Sequence, residues 1–162
     1  MIETSKNESI VYKVASTVDE FNNGKILFQQ YASSLDIDLS FQGFGEELNS
    51  IMSQYNKPKG ALLLAYKDDL AVGCAGIRPL EQDIAELKRM FVRPEFRQFN
   101  IGKKLLMLAI DIAADLNYKA IRLDTLPTMT KALSLYRSSG FYEIGAYRFN
   151  PIEGAIYMER KL

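Results

Sequence analysis

Residues Val92–Leu106 read VRPEFRQFNIGKKLL: the apolar end of a strand, a proline turn studded with arginines, then a lysine pair that opens an apolar helix. Between Lys88 and Lys104 stand six basic residues, Lys88, Arg89, Arg93, Arg97, Lys103 and Lys104, against the lone acidic Glu95. Pro94 ends the strand, and Ile101-Gly102 falls where the first helical turn begins. Free N–H groups at a helix start point outward, the dipole adds partial positive charge there, and glycine lets a ligand approach the backbone. Strand, basic turn and helix start in that order make a phosphate cradle. The same residues also suit a solvated basic turn, so spacing alone leaves both readings open.

Downstream of the turn, Leu105, Leu106, Ala109, Ile112, Ala113 and Leu116 form the apolar stripe of a long helix. "KAIRLDT" then reads as a strand, "MTKALSLYRSSG" as a helix stopped by Gly140, and "FYEIGAY" and "GAIYMERKL" as short closing strands. Upstream, "SIVYKVA" alternates as a strand does, and "TVDEFNNGKILFQQYASSL" is a helix with a Thr cap. "FGEELNSIMSQY" reads as a second helix. "GALLLAY" and "LAVGCAGIRPL" flank the turn "KDD" as a hairpin, followed by the strand "IAELKRMFV". The order is strand, helices, antiparallel strands, helix, strand, helix, strands: one mixed α/β domain over residues 1–162.

Composition narrows the function. With 48% apolar residues in 162, the chain supports one buried core. Twenty basic residues balance twenty acidic ones, so no global field draws nucleic acid or an anionic membrane, and any anion site is local. Cys74 is the single cysteine and sits in an apolar run, which excludes an internal disulfide framework. The start "MIETSKNESIVYK" lacks the basic-then-apolar pattern of a signal peptide, and no apolar run is long enough for a membrane span, so the expected location is cytoplasmic. Histidine is absent, which removes imidazole bases, Ser-His-Asp triads and His-ligated metals. No metal site is expected.

Two blocks carry a resemblance. Val92, Pro94, Arg97 and Gly102 stand in register with the strand-Val-x-Pro-x-x-Arg-x-x-Gly-x-Gly/Ala-helix pattern of the GCN5-related N-acetyltransferase (GNAT) family, with Asn100 where the first glycine is usual. "LDTLPTMTKALSLYRSSGF" resembles the family's later block, a helix ending Leu-Tyr-x-x-x-Gly-Phe, here Leu135, Tyr136, Gly140 and Phe141. Together they cover Ile84 to Phe141. "DLSFQGF", "ELKRMFVRPEFR", "LDTLP" and the terminal "NP…YME" are similar to bacterial members. The resemblance implies an α/β (α+β) fold with a single mixed, mostly antiparallel sheet flanked by helices. It also implies acetyl-coenzyme A (acetyl-CoA) as cosubstrate and direct attack of an amine on the thioester, without metal or covalent intermediate.

By that resemblance acetyl-CoA lies in a splay between "ELKRMFV" and "IRLDT". Met90, Phe91 and Val92 offer backbone groups, and Arg97, Gln98, Phe99, Asn100, Ile101, Gly102 and Lys103 form the pyrophosphate cradle. Tyr136 matches the family's acid for the leaving thiolate. For the base, strand alternation places Glu86, Lys88 and Met90 on one face with Leu87, Arg89 and Phe91 on the other. Glu86 is one candidate, with a pKa that burial could lift; Asp124 is its rival. Met129 stands where many relatives carry an asparagine, which bears on one hydrogen bond to the cofactor arm. Phe41, Gln42 and Phe44 suit a substrate lid, with Tyr147, Arg148 and Asn150 closing the other side. Arg122 and Lys88 beside Glu86 suit a small acceptor bearing both amine and carboxylate. Two alternatives stay open: an acetyltransferase of protein N-termini or lysines, and a non-catalytic acyl-CoA binding or sensing module. No nucleic-acid or membrane partner is expected, and one chain leaves open whether sheet edges pair into a homodimer.

Overall fold

The computed structural model describes residues 9–35, 37–40 and 43–162. Strand β1 (Ile10–Val14) leads into helix α1 (Val18–Ser34), which opens with a capping box. Glu20 N–H donates to Thr17 Oγ1 and Thr17 N–H to the Glu20 carboxylate, each at 3.2 Å, so two orphan donors of the helix start are met. The single helix expected over "FGEELNSIMSQY" is two short ones, α2 (Phe44–Asn49) and α3 (Ile51–Gln54). Ser50 between them sits at φ −117°, ψ 22°, and its hydroxyl donates to the Glu46 carbonyl at 2.6 Å, which competes with the helical ladder.

Strands β2 (Ala61–Lys67), β3 (Leu70–Glu81) and β4 (Ile84–Val92) form an antiparallel meander. A 3-10 turn (Pro94–Phe99) leads to helix α4 (Ile101–Asp115), then β5 (Ala120–Thr125), α5 (Thr130–Ser138), β6 (Tyr142–Ile144) and β7 (Ile156–Lys161). The sheet runs β1-β2-β3-β4-β5-β7-β6, and its one parallel pair, β4 with β5, is the pair joined through α4. The expected mixed, mostly antiparallel sheet flanked by helices is the fold observed.

Both faces of the sheet are covered. Leu105, Leu106 and Ala109 of α4 pack on Leu63, Ile77 and Leu87, while Phe21 and Phe28 of α1 meet Leu62, Leu64 and Phe91 from the other side. No described helix is long and apolar enough to cross a membrane.

Two irregularities in β4 position everything that follows. Gly76 pairs with Lys88 and Cys74 with Phe91, so Arg89 and Met90 together oppose Ala75, and Arg89 lies at φ 57°. This bulge resets the alternation. Phe91 joins the α1 side with Glu86 and Lys88, while Met90 packs toward the α4 core, which corrects the expected grouping of Met90 with Glu86 and Lys88. The second irregularity is that β4 and β5 pair only at Ile84–Ala120, Ala85–Ile121 and Glu86–Arg122, then part.

Candidate active site

Where the strands part, a cleft of about 710 Å³ opens. Met90, Phe91 and Val92 line it from β4, Arg97, Asn100, Gly102 and Lys103 from the basic turn, and Met129 to Ala132 from the start of α5. Asn100 takes the left-handed conformation, φ 59° and ψ 26°, which asparagine adopts more readily than most residues; its substitution for glycine therefore preserves the turn. Among the described residues no side chain caps α4, so its first N–H groups keep their capacity to bind a ligand. A Cβ built on Gly102 would find only Val92 Cγ2, at 3.9 Å, so the backbone there faces open space. Arg97 Nε donates to the Val92 carbonyl at 3.1 Å and braces the turn.

Two residues expected in the cradle have side chains engaged elsewhere, and a third holds its side chain in solvent. Ile101 is fully buried in the α4 core, Phe99 packs against Phe96 beneath Lys67, and Gln98 projects exposed from the 3-10 turn.

Near the splay lie two of the expected catalytic groups, Tyr136 and Asp124, close enough that the Asp124 charge acts on the phenol. Tyr136 is buried, its ring 5.8 Å from that of Phe141. Among the described residues none hydrogen-bonds its hydroxyl. Burial pushes its pKa up, and the neighbouring Tyr31 and Asp124 add to this, so the phenol keeps its proton at neutral pH. Lys88 Nζ lies 3.8 Å from Asp124 Oδ1 across the gap, both side chains buried. Burial and then the Arg89 charge lower the Lys88 pKa to about 8, against the pull of Glu86 and Asp124. Asp124 and Lys88 also line a small cavity with Tyr31, which reaches the large cleft as well.

Glu86 is positioned otherwise than the sequence suggested. Arg78 Nε donates to Oε1 at 3.1 Å, while Tyr147 Oη, at 3.1 Å, and the Arg148 guanidinium donate to Oε2. Burial favours the neutral acid, but Lys88, Arg148 and Arg78 outweigh it and hold the carboxyl below the usual range. The expectation of a lifted pKa is thereby reversed, and Glu86 serves as an anchor for cations.

Arg122 is likewise engaged elsewhere. Its Nε donates to Glu159 at 2.7 Å and Nη1 lies 3.6 Å from Glu81, so it does not line the cavity beside Glu86; Arg78 and Arg148 do. Asn150 lines the small cavity and its side-chain oxygen accepts the Ile152 N–H at 2.9 Å, which shapes the loop before β7. Phe41 and Gln42 lie outside the described residues; Phe44 stacks under Arg89.

Sequence reading also missed a buried triad. Arg89 Nη2 and Nε donate to Glu47 at 2.8 and 3.1 Å, and Tyr55 Oη donates to the same carboxylate at 2.8 Å. A Cβ on Gly76 would stand 2.6 Å from the Tyr55 ring, so glycine there gives Tyr55 its seat. Lone charges inside otherwise apolar strands, Arg78 in "CAGIRPL" and Arg89 in "LKRMF", are the signal that could have found this network.

The acetyltransferase (GNAT) family model matches residues 28–141. An uncharacterised N-acetyltransferase of Schizosaccharomyces pombe is 34% identical over 164 residues, covering 100% of this chain and 99% of the relative. A GNAT-family acetyltransferase of Staphylococcus aureus superposes with a TM-score of 0.77 at 24% identity, over 94% of this chain and 99% of its own. The PaiA N-acetyltransferase of Thermoplasma acidophilum, solved in complex with coenzyme A, gives 0.69 at 18% identity over 95% and 99%.

Proposed function

The chain belongs to the GNAT family of acetyl-CoA-dependent N-acetyltransferases, and from that premise we propose that it acetylates the primary amine of a small molecule. One observation carries this reading: the β4–β5 splay opens a cleft at a basic helix start, and Tyr31, which lines that cleft, also lines the small cavity holding the buried Lys88–Asp124 pair. The residues fit the cosubstrate. Arg97, Lys103 and the free N–H groups of α4 suit a pyrophosphate, and the unpaired edge of β4 suits the amide-bearing arm. When bound, acetyl-CoA supplies an activated thioester. The β6–β7 segment, which lays Tyr147 and Arg148 over Glu86, favours an enclosed acceptor site over an open peptide groove.

Within this reading each residue has one task. Lys88, with Asp124 beside it, takes the proton that the incoming ammonium must lose before its lone pair can attack. Tyr136 holds a proton for the departing sulfur, since its raised pKa keeps the phenol protonated at neutral pH. The buried walls exclude water, and the cleft fixes the amine close to the carbonyl carbon.

Two results test this. Acetyl-CoA at about a hundredfold over its dissociation constant should raise unfolding stability by roughly 2.7 kcal/mol, with ADP and inorganic phosphate giving less. Thiol release against a panel of small amines and N-terminal peptides then separates the acceptors; acetylation confined to peptides would replace this reading, and affinity without turnover would indicate a sensing module. The pH dependence is a further check. Because the neutral form of Lys88 is the working base, kcat/KM should rise through pH about 8 and then level off. Lys88→Gln should remove that limb, and a profile unaltered by the substitution would exclude Lys88 from proton transfer.

A further inference from the structure

Glu86 closes one side of a second cavity, of about 480 Å³, which lies toward the paired end of β4 and apart from the coenzyme cleft. Its walls carry Arg78, Arg148, Lys57 and Lys59 against a single carboxylate, Glu86. That carboxylate is already committed to three donors: Arg78 holds one oxygen, Arg148 and Tyr147 the other. Arg78 spends a further N–H on Gln54 Oε1, at 2.8 Å. The Nε–H of Arg148 is buried and meets no acceptor among the described residues. An unmet buried donor on a cation is costly, and the guanidinium fork is shaped for a planar carboxylate. Excess positive charge, an orphaned donor and free volume therefore coincide at one place.

Resting on the acetyltransferase reading above, we propose that this cavity binds a carboxylate of the acceptor through Arg148 and Arg78, while the acceptor's amine reaches Lys88 and Asp124. The distance between the two ends sets the substrate class. Glu86, which both guanidinium groups hold, and Lys88 stand two residues apart on one strand face, with their backbone positions about 7 Å apart. In an extended chain that corresponds to roughly five or six bonds. An α-amino acid, with both groups on one carbon, is too short to span it. An ω-amino carboxylate or a dipeptide-like molecule fits.

The test compares 5-aminopentanoate, pentylamine and glycine as acceptors for the full chain with acetyl-CoA. The wild-type protein should prefer 5-aminopentanoate over both of the others. Arg148→Gln and Arg148→Lys should each lower the ratio of kcat/KM for 5-aminopentanoate to that for pentylamine by roughly tenfold to a hundredfold. Lysine keeps a cation on Glu86 but lacks the Nε–H and the fork, so a misfolded glutamine variant, visible in its melting midpoint, leaves the comparison intact. An unchanged ratio, or no wild-type preference, overturns the proposal. So does activation of pentylamine acetylation by pentanoate, which would make the cavity a site for a separate anion. Calorimetric titration of 5-aminopentanoate in the presence of coenzyme A reads the same site without turnover. Binding to the wild type that is lost in Arg148→Lys supports the subsite even where no amine is acetylated, and no binding to the wild type overturns it.

Discussion

Tyr136→Phe should lower kcat by about 10²- to 10⁴-fold, the range for loss of a positioned general acid, while acetyl-CoA affinity and the melting midpoint stay near their wild-type values. The asymmetry follows from how the residue is held. Its ring belongs to the α4 core and packs at a tilt against Phe141, and phenylalanine keeps both contacts. Its hydroxyl has no hydrogen-bond partner among the described residues, so its removal leaves no donor or acceptor stranded. The measurement is steady-state kinetics with a saturating amine, together with a thermal melt in the presence and absence of acetyl-CoA. An unchanged kcat would place the proton for the sulfur on another group.

Glu47→Ala should cost about 3–5 kcal/mol of unfolding free energy in urea titrations, the penalty for breaking a buried pair from one side. Glu47 is 2% exposed and Arg89 6%, so truncation strands a guanidinium away from water and leaves the Tyr55 hydroxyl unpaired. Burial alone would raise the Glu47 pKa, but the bond from Arg89 and its charge outweigh it and set the carboxyl below its usual value. A carboxyl depressed on folding stabilises above its unfolded pKa and loses that contribution as pH falls through the folded one. Glu47→Gln should therefore flatten the acid limb of stability against pH. Arg89 holds the left-handed backbone of the bulge, so losing Glu47 should also lower activity, through the aim of Lys88 on one side and Phe91 on the other.

How much of this was readable from residues alone depended on range. The α1 start was local: Thr17 and Glu20 stand three apart and cap each other, so four residues suffice to read it. The cradle was local too, since Val92, Pro94, Arg97 and Gly102 fix strand end, turn and helix start in a span of eleven residues. The pairing of Lys88 with Asp124 was half legible, because each sits on a recognisable strand while the gap between them depends on where β4 and β5 stop pairing. The bulge was not legible. Nothing in "ELKRMFV" signals that Arg89 adopts φ 57°, a conformation held in place by Glu47, forty-two positions away. Arg148 over Glu86 spans sixty-two positions, and Arg122 was diverted by Glu159, thirty-seven positions on. Side chains that long find whichever partner the topology brings near, which strand periodicity does not encode.

The parting of β4 from β5 has a mechanical side. Three residue pairs join the meander β1-β2-β3-β4 to the trio β5-β7-β6, so the sheet is two leaves on a short hinge. The seam proposed to admit the coenzyme is also, with β6–β7, one of the sheet's two thinnest joints. Whatever fills it bridges the leaves as a missing strand would, and a cell's supply of that ligand then sets how stiffly the protein is assembled as well as how fast it works.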